Sequence, residues 1–378
     1  MNFRHVLING LSIGTGGGFT VGSQLTLNFA RHVPESKFTL SLCKTHKLHE
    51  EILLIDLPPN LSIHWAPSET VAWRSRLAYE KNVLSEWCKT AGVDRVVQLN
   101  GQMLKNSPVP VFAHHQDPWP YRPEAWSGIK HRMIAALKRH ATKDALKHAA
   151  AMGWTSNYLR DVVTGWLKIT PRRSETLYNG LPLHQLLAAR EPVRPFSERE
   201  PILLSVSNVD EYKRQRLVIQ AMPALISRHE TRDTVYHIVG SVSPQYKLKL
   251  QSLSRDLGVE KNVVIHGRQS DAMIDDLFRK ARAFTLMSVC ESFGIPAIES
   301  MALGTPVVVA DCCAIPEVCG DAGVLSPMDD LPALVNNLHR TLSDQTLWNS
   351  MAIKGKQRAL LYQWPGIAAR LASILDEL

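Results

Sequence analysis

The tract from Ala281 to Glu299 admits one local structure: a buried strand, a glycine turn and a helix. ARAFTLMS (281–288) is a short apolar run with a single charge, which reads as a strand covered on both faces. Gly294 lets the backbone turn and come close to a ligand, and Pro296 fits the first turn of a helix. Two carboxylates, Glu291 and Glu299, bracket this turn in the segment ESFGIPAIE. Glu291 falls in the loop after the strand and Glu299 about one turn into the helix, expected on the same crevice. N–H groups around Phe293 and Gly294, at a helix N-terminus, suit a phosphate, while flanking carboxylates suit sugar hydroxyls. A nucleotide sugar carries both kinds of group.

The first half alternates short apolar strands, HVLIN, FTLSLC, LSIHWA, RVVQLN and VPVFAH, with helical tracts. That is a parallel α/β pattern, in which ligands collect where strand ends feed helices. After the first strand come Gly14, Gly16, Gly17 and Gly18, whose amides can meet an anion. The spacing is not G-x-G-x-x-G, and FTLSLC ends without a ribose-binding carboxylate, so NAD binding is the inferior reading. His114 and His115 end the strand VPVFAH. Adjacent residues of an extended segment face opposite sides, so one is expected in the crevice and one packed away; the sequence leaves open which.

At 378 residues the chain exceeds one compact core, and its 45% apolar content fills two. Proline and charge accumulate from Pro182 to Pro201, as a domain boundary would show. A net charge of +8 favours polyanions, and with no zinc finger, RNA-binding aromatic motif or basic zipper, nucleic acid is disfavoured. Six cysteines without C-x-x-C spacing read as reduced thiols, with Cys290 beside Glu291 a chemically sensitive bystander. No run of 18 or more apolar residues occurs and MNFRHVLING enters a strand directly, so a cytoplasmic protein is expected. Gly128 to His148, with Lys130, Arg132, Lys138, Arg139, Lys143 and Lys147 among apolar residues, reads as a basic amphipathic helix preceded by Trp119 and Trp126. It suits peripheral contact with an anionic membrane on the inner face of the cytoplasmic membrane; a solvated helix face is the plainer alternative.

Ordered segments extend the pattern: LLSVSNVDEYKRQRLVIQAM (203–222), HIVGS (237–241), NVVIHGRQSDAMIDDLFRKARAFTLMS (262–288), ESFGIPAIE, MALGTPVVVAD (301–311) and IPEVCGDAGVLSP (315–327). Together they resemble the retaining glycosyltransferases of family 4 (glycosyl transferases group 1), specifically over about 201–342 and more weakly before it. The resemblance implies a GT-B fold: two Rossmann-like α/β/α domains facing a central cleft. The N-terminal domain (1–185) would bind the acceptor, 186–200 would be a linker, and the C-terminal domain (201–362) would bind the donor. A last helix, 363–378, would cross back to the N-terminal domain.

The same resemblance implies site residues. Glu291 would contact the transferred sugar and Glu299 the nucleotide ribose. Lys213, with the Ser292, Phe293, Gly294 and Ile295 backbone, would hold the diphosphate, and Gly16, Gly17 and Gly18 would close over it. Gly267 and Arg268 would lie at the nucleobase, and His114 or His115 near the sugar. Asn208 stands where many members have arginine, with Arg214 or Arg216 as compensating cations. The expected reaction transfers a sugar from a nucleotide diphosphate donor, UDP or GDP first among bases, to a glycan or lipid-linked acceptor hydroxyl, with retention and in cell-surface glycan synthesis. No D-x-D pair is evident, so neither a metal nor a separate cofactor is expected. An epimerase or phosphorylase of this architecture is disfavoured by ESFGIPAIE, whereas Asn208 keeps open a noncatalytic nucleotide-sugar-binding protein.

Overall fold

The computed structural model describes residues 1–13, 17–44, 52 and 56–378. The chain divides into two compact units: residues 1–121, 127–180 and 363–378 in the first, and 122–126 and 181–362 in the second. Each is built on a parallel sheet.

In the first unit β1 (His5–Asn9), β2 (Lys37–Cys43), β3 (Leu61–Ala66), β4 (Arg95–Gln98), β5 (Val111–His115), β6 (Ala151–Trp154) and β7 (Ser174–Thr176) line up as β3-β2-β1-β4-β5-β6-β7. Val6, Leu7 and Ile8 of β1, Phe112 and Ala113 of β5 and Met152 of β6 are fully buried. Strands covered on both faces need such unbroken apolar runs, which explains why they are legible as strands. The C-terminal helix Trp364–Asp376 belongs to this unit and packs along helix Gly17–His32. Arg370 pairs with Glu175 at 2.6 Å, and Arg95 Nε donates to the Leu375 carbonyl at 3.0 Å.

In the second unit β8 (Glu200–Val206), β9 (Val235–Val239), β10 (Val263–Gly267), β11 (Ala281–Leu286), β12 (Val307–Ala310) and β13 (Gly323–Ser326) run in the order β10-β9-β8-β11-β12-β13. Strand order reverses direction between β8 and β11, as it does between β1 and β4 in the first unit. Connections leave those neighbouring strands toward opposite sides, which opens a crevice at their carboxyl ends.

The segment expected as a linker is part of the second unit. Leu183–Arg190 forms a helix, and Lys356 Nζ donates to the carbonyls of Ala188 and Glu191 at 2.7 and 2.8 Å, tying the following turn to helix Gln345–Ala359. Arg199, 3% exposed, donates to the carbonyls of Arg279 and Gly304 at 2.7 and 3.0 Å and to Thr305 Oγ1 at 2.8 Å. Charge and proline in 182–201 therefore serve packing and capping, and the main stretch of the unit runs from Leu181 to Tyr362.

Candidate active site

The loops after β8 and β11 meet at the second unit's crevice. Beyond β8, Asp210 accepts the Glu211 N–H at 2.6 Å and starts a single helical turn, Glu211–Lys213. Beyond β11, the Val289 N–H donates to the Tyr212 carbonyl at 3.0 Å, strapping the two loops together. Lys213 Nζ consequently lies 2.5 Å from Glu291 Oε1, and both side chains are only 12% exposed. Burial by itself would lower the Lys213 pKa; the charge and hydrogen bond of Glu291, with Tyr212 contributing, outweigh it and raise the pKa above the ordinary value. The cation is thus held in place at the crevice before any ligand arrives.

Gly294 has φ +89°, a conformation that favours glycine, and a Cβ there would lie 2.4 Å from Ile315 Cδ1, so the end of that side chain would have to shift. Helix Ile295–Ala302 follows, with Pro296 in its first turn. Phe293 is buried edge-on against Tyr362 at 5.3 Å, which fixes the turn by packing. Ser292 and Ile295 are partly exposed on either side. The N-terminal end of this helix presents positive dipole charge beside Glu291. Gly240 is the second conformationally demanding glycine: at φ +141° its Cβ would meet the Ser207 carbonyl at 1.8 Å, so the loops after β8 and β9 approach backbone to backbone.

Glu299 has different neighbours from Glu291. Partly exposed on helix Ile295–Ala302, it faces Asp271 and Asp275 of helix Asp271–Lys280 and accepts a hydrogen bond from Gln185. Burial first, then Asp275 and Asp271, raise its pKa to about 7, against the lowering effect of Gln185. Gly267 (φ +75°) ends β10, and its carbonyl accepts the Gly240 N–H at 2.9 Å; Arg268 beyond it is exposed. Asn208 is exposed, and its carbonyl accepts from Gln215 Nε2 at 3.2 Å. Arg214 is drawn to the Met328 carbonyl at 2.8 Å and to Asp329 at 2.9 Å, while Lys213 pairs with Glu291.

In the first unit, His114 and His115 end β5 on opposite faces, both nearly fully buried. His115 packs edge-on against Tyr121 and Trp154 at 6.0 and 5.8 Å. His114 stacks on Phe112, and since unpaired ring nitrogens occur on both histidines, hydrogen bonding does not single out one of them. Burial is the main cause holding His114 down at about 3 and His115 at about 4, so both rings are neutral near pH 7. Gly17 and Gly18 start helix Gly17–His32, and Gly18 is exposed; Gly16 lies outside the described residues. Among the described residues no group of three or more His, Cys, Asp or Glu is arranged to hold a metal ion.

Three residues of this neighbourhood escaped sequence reasoning. Arg122 Nε donates to the Val289 carbonyl at 3.0 Å, and Asp271 and Asp275 set the electrostatics of Glu299. Nothing in local spacing marks Arg122, since only the fold brings it to the loop after β11.

Residues 189–358 match the family described as glycosyl transferases group 1. N-acetyl-alpha-D-glucosaminyl L-malate synthase of Bacillus anthracis is 29% identical over 163 residues, 43% of this chain and 41% of that protein. The chain matches less than half the length of such curated relatives. Sucrose-phosphate synthase from Thermosynechococcus elongatus superposes with TM-score 0.77 at 17% identity, covering 99% of this chain and 98% of that one. Anabaena HepE in complex with UDP-glucose gives TM-score 0.73 at 17% identity over 99% and 100% of the two chains. The fold is GT-B. Through residues 189–358, a little under half its length, the chain is similar to the glycosyl transferases group 1 family.

Proposed function

We propose that the protein is a retaining, metal-independent glycosyltransferase that moves a sugar from a nucleotide diphosphate donor to an acceptor hydroxyl. The observation that carries this reading is the buried Lys213–Glu291 pair beside the helix N-terminus at Gly294. Lys213 and the helix end meet the diphosphate, and charge growing on the leaving phosphate is stabilised where the cation already sits. Glu291 holds the ammonium and accepts from hydroxyls of the transferred sugar. Glu299, about one turn into the helix, accepts from the ribose hydroxyls. With no protein nucleophile at the sugar, the leaving phosphate oxygen takes the acceptor's proton on the face it departs from, which gives retention. The solved structure of HepE with UDP-glucose supports a nucleotide-sugar donor of this class.

A panel of UDP, GDP, ADP and CMP sugars, read by thermal stabilisation and nucleotide release without added metal, tests this. One donor that stabilises and is slowly hydrolysed supports it; stabilisation with no release across varied acceptors would make the protein a binding module, the reading Asn208 favours. Silence from every donor would overturn both.

Glu299 gives a sharper test. A carboxylate accepts from both ribose hydroxyls more strongly than its protonated form. Since its pKa is raised to about 7, UDP binding at pH 6.5 should release a proton, and affinity should climb as pH rises through that value. Calorimetry in two buffers of different ionisation enthalpy reads the release. Glu299→Gln should remove it and weaken binding at pH 8 by about 1.5–3 kcal/mol. Unchanged proton release in the variant would take Glu299 off the ribose.

The acceptor is proposed to be lipid-linked, within cell-surface glycan synthesis, with the enzyme peripheral on the cytoplasmic membrane. Helix Gly128–His148 buries Ala135, Thr142, Ala145 and Leu146 but exposes Ile129, Met133 and Leu137 by 69%, 62% and 61%. Those three recur at i, i+4 and i+8, so they form one outward ridge. Exposed Lys130, Arg132 and Lys143 flank it, and Asp144 is the first acid of the helix. Among the described residues no helix is long and apolar enough to cross a membrane. Co-sedimentation with phosphatidylglycerol vesicles should fall at least about tenfold for Met133→Glu/Leu137→Glu. Equal binding by variant and parent would count against membrane docking through this ridge.

A further inference from the structure

Cys312 and Cys313 follow β12 in the loop after Ala310, and their sulfurs lie 3.2 Å apart. Both are partly exposed, unlike the other four cysteines, which are buried. Cys313 adopts φ +60°, a left-handed conformation that side chains other than glycine, asparagine and aspartate seldom take. Strain of this kind persists only where surroundings impose it. Here they do: Cys313 Sγ donates to the Val289 carbonyl at 3.1 Å, and Arg122 donates to that carbonyl through Nε and to Cys312 Sγ through Nη2 at 3.3 Å. Val289 is the residue whose N–H straps the β8 and β11 loops, two positions before Glu291. One residue, Val289, two positions before Glu291, thus contacts the sulfur pair through its carbonyl and the loop of Lys213 through its N–H.

We propose that Cys312 and Cys313 form a dithiol modification site that a low-molecular-weight disulfide closes into a vicinal disulfide, and that closure weakens nucleotide binding at the adjacent crevice. The second half rests on the proposed donor site. Chemically, one cysteine thiolate attacks a sulfur of the small disulfide, breaking that S–S bond and releasing one thiolate. The neighbouring cysteine then attacks the sulfur now bonded to the small thiol, forming the Cys312–Cys313 bond and expelling the second thiolate. The two cysteines lose two electrons, the small disulfide gains them, and the two cysteine protons end on the two released thiols.

Position favours ring closure over a lasting mixed disulfide, because the second sulfur needs to approach by only about 1.1 Å to reach bonding distance near 2.05 Å. Adjacent Cα atoms stand about 3.8 Å apart, below the usual disulfide range, so the bond is of the strained, readily reduced kind. Closure removes the thiol proton that Cys313 donates to Val289, so the Val289 carbonyl loses that donor.

The experiment incubates the whole protein with oxidised glutathione under native conditions, alkylates remaining thiols and maps peptides by mass. The expected product is a Cys312–Cys313 peptide lacking two hydrogens and carrying no alkyl group, restored by dithiothreitol. Cys313→Ser should give no closed product, and Cys312→Ser should stop at a glutathione adduct on Cys313. Full alkylation of both thiols in the parent, or closure only after denaturation, would overturn the site. Closed protein should bind UDP about tenfold more weakly than reduced protein, the size of one lost hydrogen bond. Cys312→Ser/Cys313→Ser should stay insensitive. Closure with unaltered UDP affinity would overturn the coupling while leaving the modification. Reduced protein that binds no nucleotide at all would instead speak against the donor reading, since the mass readout stands apart from it.

Discussion

Arg199→Leu is expected to lower the unfolding free energy of the second unit by at least about 3 kcal/mol. Its guanidinium reaches the carbonyls of Phe278, Arg279, Leu303 and Gly304 and the hydroxyl of Thr305, at distances from 2.7 to 3.2 Å. These are ends of elements. The first two acceptors lie in the last turn of helix Asp271–Lys280 and the next two follow helix Ile295–Ala302, so one cation satisfies carbonyls that have no intrahelical donor. Burial first, then the nearby Arg194 and Arg279, push its pKa down to about 10, which still leaves it charged at neutral pH. Leucine would return some apolar packing against Trp348, over whose ring the guanidinium sits at 5.2 Å. It would supply no donor. Each buried carbonyl left unpaired costs about 1–3 kcal/mol, and water entering the gap recovers only part. Urea unfolding followed by tryptophan fluorescence measures the change. A midpoint like that of the parent would mean that the carbonyls find water at no cost.

Arg199 also shows where sequence reasoning stops. The strands were legible because doubly covered strands are written as apolar runs, and ESFGIPAIE was legible because Gly294 and Pro296 each permit few backbone conformations. Arg199, Glu200 and Pro201 carry the signs of a linker, and only the packed structure shows that the arginine is buried. Lys356, which holds the turn after helix Leu183–Arg190, is 165 residues away from Glu191 in sequence. Similarly, Lys213 and Glu291 stand 78 positions apart, and no periodicity joins them. Strand order does: β11 lies beside β8, so the loops leaving them share one crevice. Family resemblance assigned both residues to a donor, but their contact with each other, and the separate surroundings of Glu299, are products of the fold. The histidines follow the same rule. Alternation along β5 required opposite faces, whereas the aromatic neighbours of His115 are supplied only by the fold.

Lys213→Ala is expected to reduce turnover by about 100- to 1,000-fold, the cost of removing one preorganised group that meets charge developing on a leaving oxygen. Ground-state affinity for the donor should fall less, because the charge it meets grows as the bond to the sugar breaks. The pair makes the variant's behaviour specific. Removing only the ammonium leaves Glu291 with an unmatched negative charge, 12% exposed, beside the place proposed for a diphosphate. That charge repels the ligand and destabilises the fold, since breaking one side of a buried pair is costlier than losing both. Lys213→Ala/Glu291→Gln should therefore bind UDP more tightly and melt higher than Lys213→Ala, although its turnover stays low. Because the Lys213 pKa is raised, its charge is fully present below the ordinary lysine value and is lost only as pH rises through the higher folded value. The deficit should consequently stay constant between about pH 6 and 9. Calorimetric UDP titration, melting curves and initial rates on the parent, both single variants and the double variant form the cycle. Additive effects on binding would show that Lys213 and Glu291 act on the donor separately; unchanged turnover in a folded Lys213→Ala protein would remove the lysine from the diphosphate.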